Sequence, residues 1–275
     1  MSIQYYCPRW GSESLSWGTF FENVMAAGYD GVECGIAVTA SEKELEEIWN
    51  LSAKHNVKII IQHYDTYVAE FSKHFDQYCA WLEKVKPYPC VKINSQTGKD
   101  FFSFEQNQAL IEETLRFTEN EGVPVVHETH RNKFSFAAHI TKTYLEKIPG
   151  LKITLDASHW VCVAESFLED QPQAVNLAIE KTEHIHARVG YIEGPQVPDP
   201  RINEWEHALN MHLNWWDKVV ERKKKENAIL TIAPEFGPFP YMVPLPSTGQ
   251  PITNQWEVNL FMMNLLKKRY SNTSL

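Results

Sequence analysis

No CxxC pair occurs in this sequence; its five cysteines, Cys7, Cys34, Cys79, Cys90 and Cys162, stand singly. An odd number without a framework points to thiols buried as small hydrophobes in a reducing compartment. No apolar run approaches the ~20 residues that a membrane span needs, and the opening "MSIQYYCPRW" lacks the charged and apolar regions of a signal peptide. A soluble, cytoplasmic protein is therefore expected. Positive charge is also in short supply, with 26 Lys and Arg against 35 Asp and Glu, for a net charge of -9. Nothing then draws the chain to phosphate backbones or anionic membranes, and neither a nucleic-acid nor a membrane partner is expected. The one basic run, Arg222 to Lys225, lies in a helical pattern and reads as a solvated helix face. Low-complexity segments and composition breaks are missing as well, so residues 1–275 read as one domain.

What is present is an alternation. Short apolar or β-branched runs occur at Ile3–Cys7, Gly31–Cys34, Lys58–Gln62, Cys90–Ile93, Val123–His127, Lys152–Leu155, His184–Ala187 and Ile229–Ala233. Segments of helical spacing separate them. Ser41 with Glu44, and Ser103 with Gln106, form capping boxes at two helix starts, and Gly28, Gly122 and Gly150 fall where helices would stop. Eight strands alternating with helices predict a parallel sheet closed into a (β/α)₈ TIM barrel, which leaves no sheet edge. The rival, a doubly wound open sheet, lacks any G-x-G-x-x-G after a strand.

In such a barrel, function sits at the C-terminal ends of the strands. The third run is followed by Gln62, His63 and Tyr64, and the fourth by Asn94 and Gln96. The fifth, "VVHETHR", gives Glu128, His130 and Arg131, and the sixth, "LDASHW", gives Asp156 and His159. His184, His186 and Arg188 come from the seventh, Glu235 from the eighth and Glu33 from the second. Glu128, Asp156, His186 and Glu235 end four consecutive strands and should converge, because neighbouring strands lie ~4.8 Å apart. Three carboxylates that close repel one another unless a cation sits among them. Three oxygen ligands and one imidazole suit one divalent ion: manganese, magnesium or cobalt, and less typically zinc. Period-two alternation puts His184 and His186 on one side of their strand, with His186 nearer the rim; His127 alternates away from Glu128 and should pack outside the lumen.

Together "GYDGVE", the glutamate of "VVHETHR", "LDASHW", "HIHAR" and "PEFG" resemble the xylose-isomerase-like TIM-barrel superfamily, in particular its sugar phosphate isomerase/epimerase branch of ketose 3-epimerases, hydroxypyruvate isomerases and inosose dehydratases. The resemblance runs from Tyr29 to Gly237. It implies that Glu128, Asp156, His186 and Glu235 bind the metal, and that His159 and Arg131 contact substrate oxygens. Two departures leave the substrate class open: Lys133 stands where the epimerases carry a substrate-contacting glutamate, and "ARVGYIEGPQVPDPR" is unlike their pattern after the histidine.

The implied chemistry is isomerisation or epimerisation of a sugar, sugar phosphate or related polyol by proton transfer through a metal-stabilised enediolate, with Glu128 and Glu235 as base and acid. His63 and Arg188 are further substrate contacts, Arg188 for a phosphate or carboxylate or else as a structural salt bridge. A lyase of the inosose dehydratase type would use the same ligands, whereas a non-catalytic sugar-binding barrel would have lost one. A DNA-repair AP endonuclease would show additional histidines and a basic groove. The proline-rich stretch "FGPFPYMVPLPSTGQPITNQW" reads as a long, rigid loop over the site, with Trp10, Trp160, Tyr191 and Phe239 as candidate pocket walls. Related barrels commonly pair, and "MHLNWWDKVVERKKK" offers aromatics for a homo-oligomer contact.

Overall fold

The computed structural model describes residues 2–271. Eight parallel strands close into a barrel in sequence order, the last pairing with the first. They are β1 (Ser2–Pro8), β2 (Gly31–Gly35), β3 (Lys58–His63), β4 (Ile93–Ser95), β5 (Val125–Glu128), β6 (Ile153–Leu155), β7 (Thr182–His186) and β8 (Ile229–Ala233). Between them run α1 (Trp17–Ala26), α2 (Glu42–His55), α3 (Phe71–Val85), α4 (Phe104–Glu121), α5 (Ala138–Lys147), α6 (Ala157–Ala164), α7 (Pro172–Lys181) and α8 (Glu206–Lys225); α9 (Gln255–Ser271) follows β8. The predicted (β/α)₈ barrel is the observed one, with α6 and α7 both in the β6–β7 connection.

Local sequence accounts for these elements. Ser41–Glu44 and Ser103–Gln106 form both reciprocal bonds of the capping box at the starts of α2 and α4. Leu45, Ile48 and Ser52 bury one face of α2, and Leu110, Ile111, Thr114 and Phe117 do so in α4, each large apolar side chain contributing about 1.5–3 kcal/mol. Helix α4 stops at Gly122, whose φ of 70° is open to glycine without a Cβ clash. Gly150 is not a helix cap: α5 has already ended at Ile148, and Gly150 lies in the turn that bonds Leu151 back to Ile148. Strand β4 starts later than its apolar run, at Ile93, although the Val91 amide already donates to the Ile59 carbonyl.

The main apolar core lies between sheet and helices. Inside the barrel the apolar layer is small, built on Tyr6, Ile60 and Ala233, and polar side chains fill the lumen above it. Two surface expectations are corrected. Trp215 and Trp216 of α8 are buried, 6% and 0% exposed, because they share the face of Val219 and Val220 that packs on the barrel. Nor is the basic run only a solvated face, since Lys223 is buried in an ion pair with Glu183 and Arg222 also reaches Glu183. Among the described residues no helix is long and apolar enough to cross a membrane.

Candidate functional site

Strand parity decides what enters the lumen. Ile60 faces inward, so Gln62 does too; in β5 Glu128 faces inward and His127 outward; in β7 both His184 and His186 face inward. Glu128 and His186 are the last residues of their strands, Asp156 caps α6 directly after β6, and Glu235 lies two residues beyond β8. These four bury their side chains at the top of the lumen, and one ligand atom from each lies within 4.8 Å of all the others. The predicted cluster is therefore brought together.

Two ligand atoms in it make no hydrogen bond. Glu128 Oε1 and His186 Nδ1 are buried without a hydrogen-bond partner, 3.5 Å apart. Nδ1 also lies 2.7 Å from Glu235 Oε2, but outside hydrogen-bond alignment. Glu128 Oε2 and Glu235 Oε1 are held by amides: Gln62 Nε2 donates to the first at 3.4 Å and to the second at 3.2 Å, and Gln96 Nε2 donates to Glu128 Oε2 at 3.2 Å. Three acids and one imidazole with two unused, facing donor atoms are a set that could hold a divalent ion.

The protonation pattern follows from crowding. Burial raises the Glu128 carboxyl, but the adjacent His186 outweighs it and brings the group down to about 2. Burial dominates at Asp156 and Glu235 and raises both. His186 goes the other way: burial lowers it, yet Glu235, Glu33 and Glu128 around one ring hold it well above the ordinary histidine value. The His186 ring and the Arg188 guanidinium are the positive groups set against the three acids.

Beneath lies a second group that the strand-end reading left without a role. Glu33 of β2 sits between His184 and His186, 3.0 and 3.1 Å from their Nε2 atoms, and Asn94 Nδ2 donates to Glu33 Oε1 at 2.8 Å. Two imidazoles overcome the burial cost and keep the Glu33 carboxyl well below its usual range.

The other predicted contacts divide. Arg188 forms the structural salt bridge: its guanidinium pairs with Asp156, donates to His159 Nε2 at 2.9 Å and to Ser158 Oγ at 3.3 Å, and lies 4.6 Å from the Tyr241 ring. His159 is fully buried behind His130, their rings 4.0 Å apart, with burial keeping both imidazoles neutral. Arg131 points at Tyr241, 5.2 Å from the ring. His63 is corrected: it faces outward from β3, wholly buried, 2.7 Å from Thr66 Oγ1 and packed on Tyr78 and Trp81. Its place after the strand suggested the rim, but the same parity that turns Gln62 inward turns His63 away. His127, as expected, packs outside the lumen on Thr97 and Thr114.

Above the cluster opens a cavity of 690 Å³. Glu128, Glu235, Gln62 and Gln96 line it below, and Trp10, Trp17, Tyr64, Tyr67 and Tyr241 give aromatic walls. Arg9, His130, Lys133 and Arg188 add polar and cationic groups. Trp10 is thus a wall as expected; Trp160 is buried and donates to the Ser135 carbonyl, Tyr191 packs on Trp205, and Phe239 is 72% exposed. Arg9, Trp17 and Tyr241 escaped the sequence reading, Arg9 because β1 carries no acid or imidazole at its end and Tyr241 because an irregular loop has no periodicity to read. A larger cleft of 1020 Å³ lies beyond Trp10, under the loop after β8. Its only titratable lining residue is Cys7, whereas Glu128 and Glu235 line the smaller cavity.

No protein-family model and no curated protein sequence matches this chain. Solved structures do match. A probable 3-DHS dehydratase, AsbF, involved in petrobactin synthesis from Bacillus anthracis, is 16% identical, with 98% of this chain and 100% of that one covered and a TM-score of 0.59. An AP endonuclease of family 2 from Brucella melitensis is 12% identical over 86% of this chain and 93% of that one, with a TM-score of 0.56. The likeness is one of fold, a closed eight-stranded parallel barrel.

Proposed function

We propose that this protein is a divalent-metal-dependent isomerase or epimerase of a small polyhydroxylated carbonyl compound. The observation that carries the reading is the convergence of Glu128, Asp156, His186 and Glu235 at the floor of a ligand-sized cavity, with two facing donor atoms unsatisfied. These four residues would hold the ion, whose chemistry when bound is Lewis-acid polarisation of substrate oxygens. The remaining work falls to the chain. Glu128 and Glu235, both carboxyls at the cavity floor, take a proton from the carbon beside the carbonyl and return one. The adjacent His186 lowers the Glu128 carboxyl while burial raises that of Glu235, so their proton affinities differ, as an acid–base pair requires. Gln62 bonds both and fixes their spacing, while the aromatic walls exclude water from the C–H faces of the substrate.

A carbohydrate-sized partner is supported by the cavity's volume, and the net charge of -9 weighs against a nucleic-acid substrate despite the AP endonuclease that shares the fold. A lyase of the dehydratase type is the second reading, supported by the fold shared with a probable dehydratase. Incubation of manganese- or cobalt-loaded protein in heavy water with ketoses, their phosphates and inososes distinguishes the two. Isomerisation or epimerisation places deuterium on the carbon beside the carbonyl in a product of unchanged formula, whereas a lyase releases water. No exchange and no product across the panel would defeat both.

A further inference from the structure

Three cations border the 690 Å³ cavity, and one of them has nothing to hold. Arg188 is committed to Asp156, Ser158 and His159. Arg9 stacks 4.4 Å from the Trp17 ring and 4.7 Å from Phe20 and donates through Nη2 to the Leu15 carbonyl at 2.6 Å, with Nη1 buried and without a partner. Lys133 is different. It is 2% exposed, lines the cavity, and its Nζ has no hydrogen-bond partner among the described residues.

The backbone fixes where that ammonium goes. Directly after Glu128 the chain makes a tight turn, with Asn132 at φ 66° and the Lys133 amide donating to the His130 carbonyl at 3.2 Å. The Phe134 amide then bonds Thr97, and its ring is buried, so the turn is anchored on both sides of Lys133. The Lys133 Nζ lies 5.8 Å from the Tyr67 ring, and a second ammonium, Lys99, stands 5.4 Å from the same ring. Asp65, Asp100 and Glu128 act on Lys133 through space only. A buried ammonium without a hydrogen-bonded counter-charge is costly, and the cost is offset when a ligand supplies one.

We infer that Lys133 is the anion-binding end of the cavity, and that the substrate carries a carboxylate or phosphate which pairs with its Nζ while the reacting carbons lie over Glu128 and Glu235. The inference rests on the reading of this cavity as the substrate site. A neutral sugar would leave the ammonium unpaired, whereas an acidic one satisfies it with charge-assisted hydrogen bonds. Arg188, for which the sequence left both an anion contact and a structural salt bridge open, has its charge neutralised by Asp156.

The test is ligand binding followed by tryptophan fluorescence, since Trp10 and Trp17 line the cavity. D-Fructose, D-fructose 6-phosphate and 5-keto-D-gluconate are titrated into wild type, Lys133→Met and Lys133→Arg, each as purified and after chelator treatment. Wild type should bind at least one anionic probe about tenfold or more tighter than fructose. Lys133→Met should lose that preference while keeping its metal content, and Lys133→Arg should retain most of it. Preference for the phosphate alone or the keto acid alone supports the inference and identifies the anion. Equal binding of all three probes by wild type, no binding of either anion, or an undiminished preference in Lys133→Met overturns it. Because metal content is read on the same samples, failure of the anion site is distinguishable from failure of the metal reading.

Discussion

Both carboxylate oxygens of Glu33 lie 3.1 Å from Nε2 of His186. With Nε2 occupied in this way, Nδ1 is the nitrogen presented to Glu128 and Glu235. A carboxylate behind a ligating imidazole fixes its ring orientation and tautomer and raises its basicity. Glu33→Gln should therefore weaken divalent-metal binding about 10–100-fold with the stoichiometry unchanged. Competition against a fluorescent chelator reads this directly, and an unchanged affinity removes Glu33 from the metal site's support.

Lys133 should cost stability in the ligand-free protein. Burial, followed by the neighbouring Lys99, brings its ammonium from 10.5 down to about 8. Between about pH 8 and 10.5 the unfolded chain then holds more protons here than the folded one, so stability rises with pH across that window. Below pH 8 the penalty is felt in full. Lys133→Met should raise the melting temperature by about 3–8 °C at pH 7, with the gain shrinking towards pH 10.5. Melting curves at both pH values check the sign.

Arg188 and Asp156 are a fully buried pair, 1% and 0% exposed. Removing the cation strands a carboxylate in the barrel, so Arg188→Met should destabilise the metal-free protein by about 3–5 kcal/mol in urea unfolding. If Arg188 served chiefly to hold ligand, the loss would instead appear in ligand affinity with stability intact.

His63 should prove structural. Its contacts are Thr66 at 2.7 Å, Ser95 at 3.3 Å and the rings of Tyr78 and Trp81. His63→Leu should cost about 1–3 kcal/mol in stability and leave metal stoichiometry and probe binding at wild-type levels. A selective loss of ligand binding would restore it to the site.

Strand parity explains what the sequence made legible. Apolar runs marked eight strands, and the groups that ended four of them, Glu128, Asp156, His186 and Glu235, met because parallel neighbours in a barrel deliver their ends to one rim. The same rule, applied to Gln62 and His63, selects Gln62; choosing the histidine for its chemistry overlooked the side to which it points. Tyr241 could not be read because its position depends on an irregular loop after β8. Trp215 and Trp216 read as surface aromatics until the buried face of α8 became visible. The sequence marked Lys133 as a departure, but only packing shows that its charge is buried and unpaired.

Metal content tests the central claim most directly. Protein purified without chelator and then equilibrated with manganese or cobalt should hold one divalent ion per chain by elemental analysis. Glu128→Gln and Glu235→Gln, each removing one charged ligand while keeping side-chain size, should weaken that binding by at least about tenfold while remaining folded by circular dichroism. A wild-type chain that takes up no stoichiometric ion, or two variants that bind it as wild type does, would contradict the account.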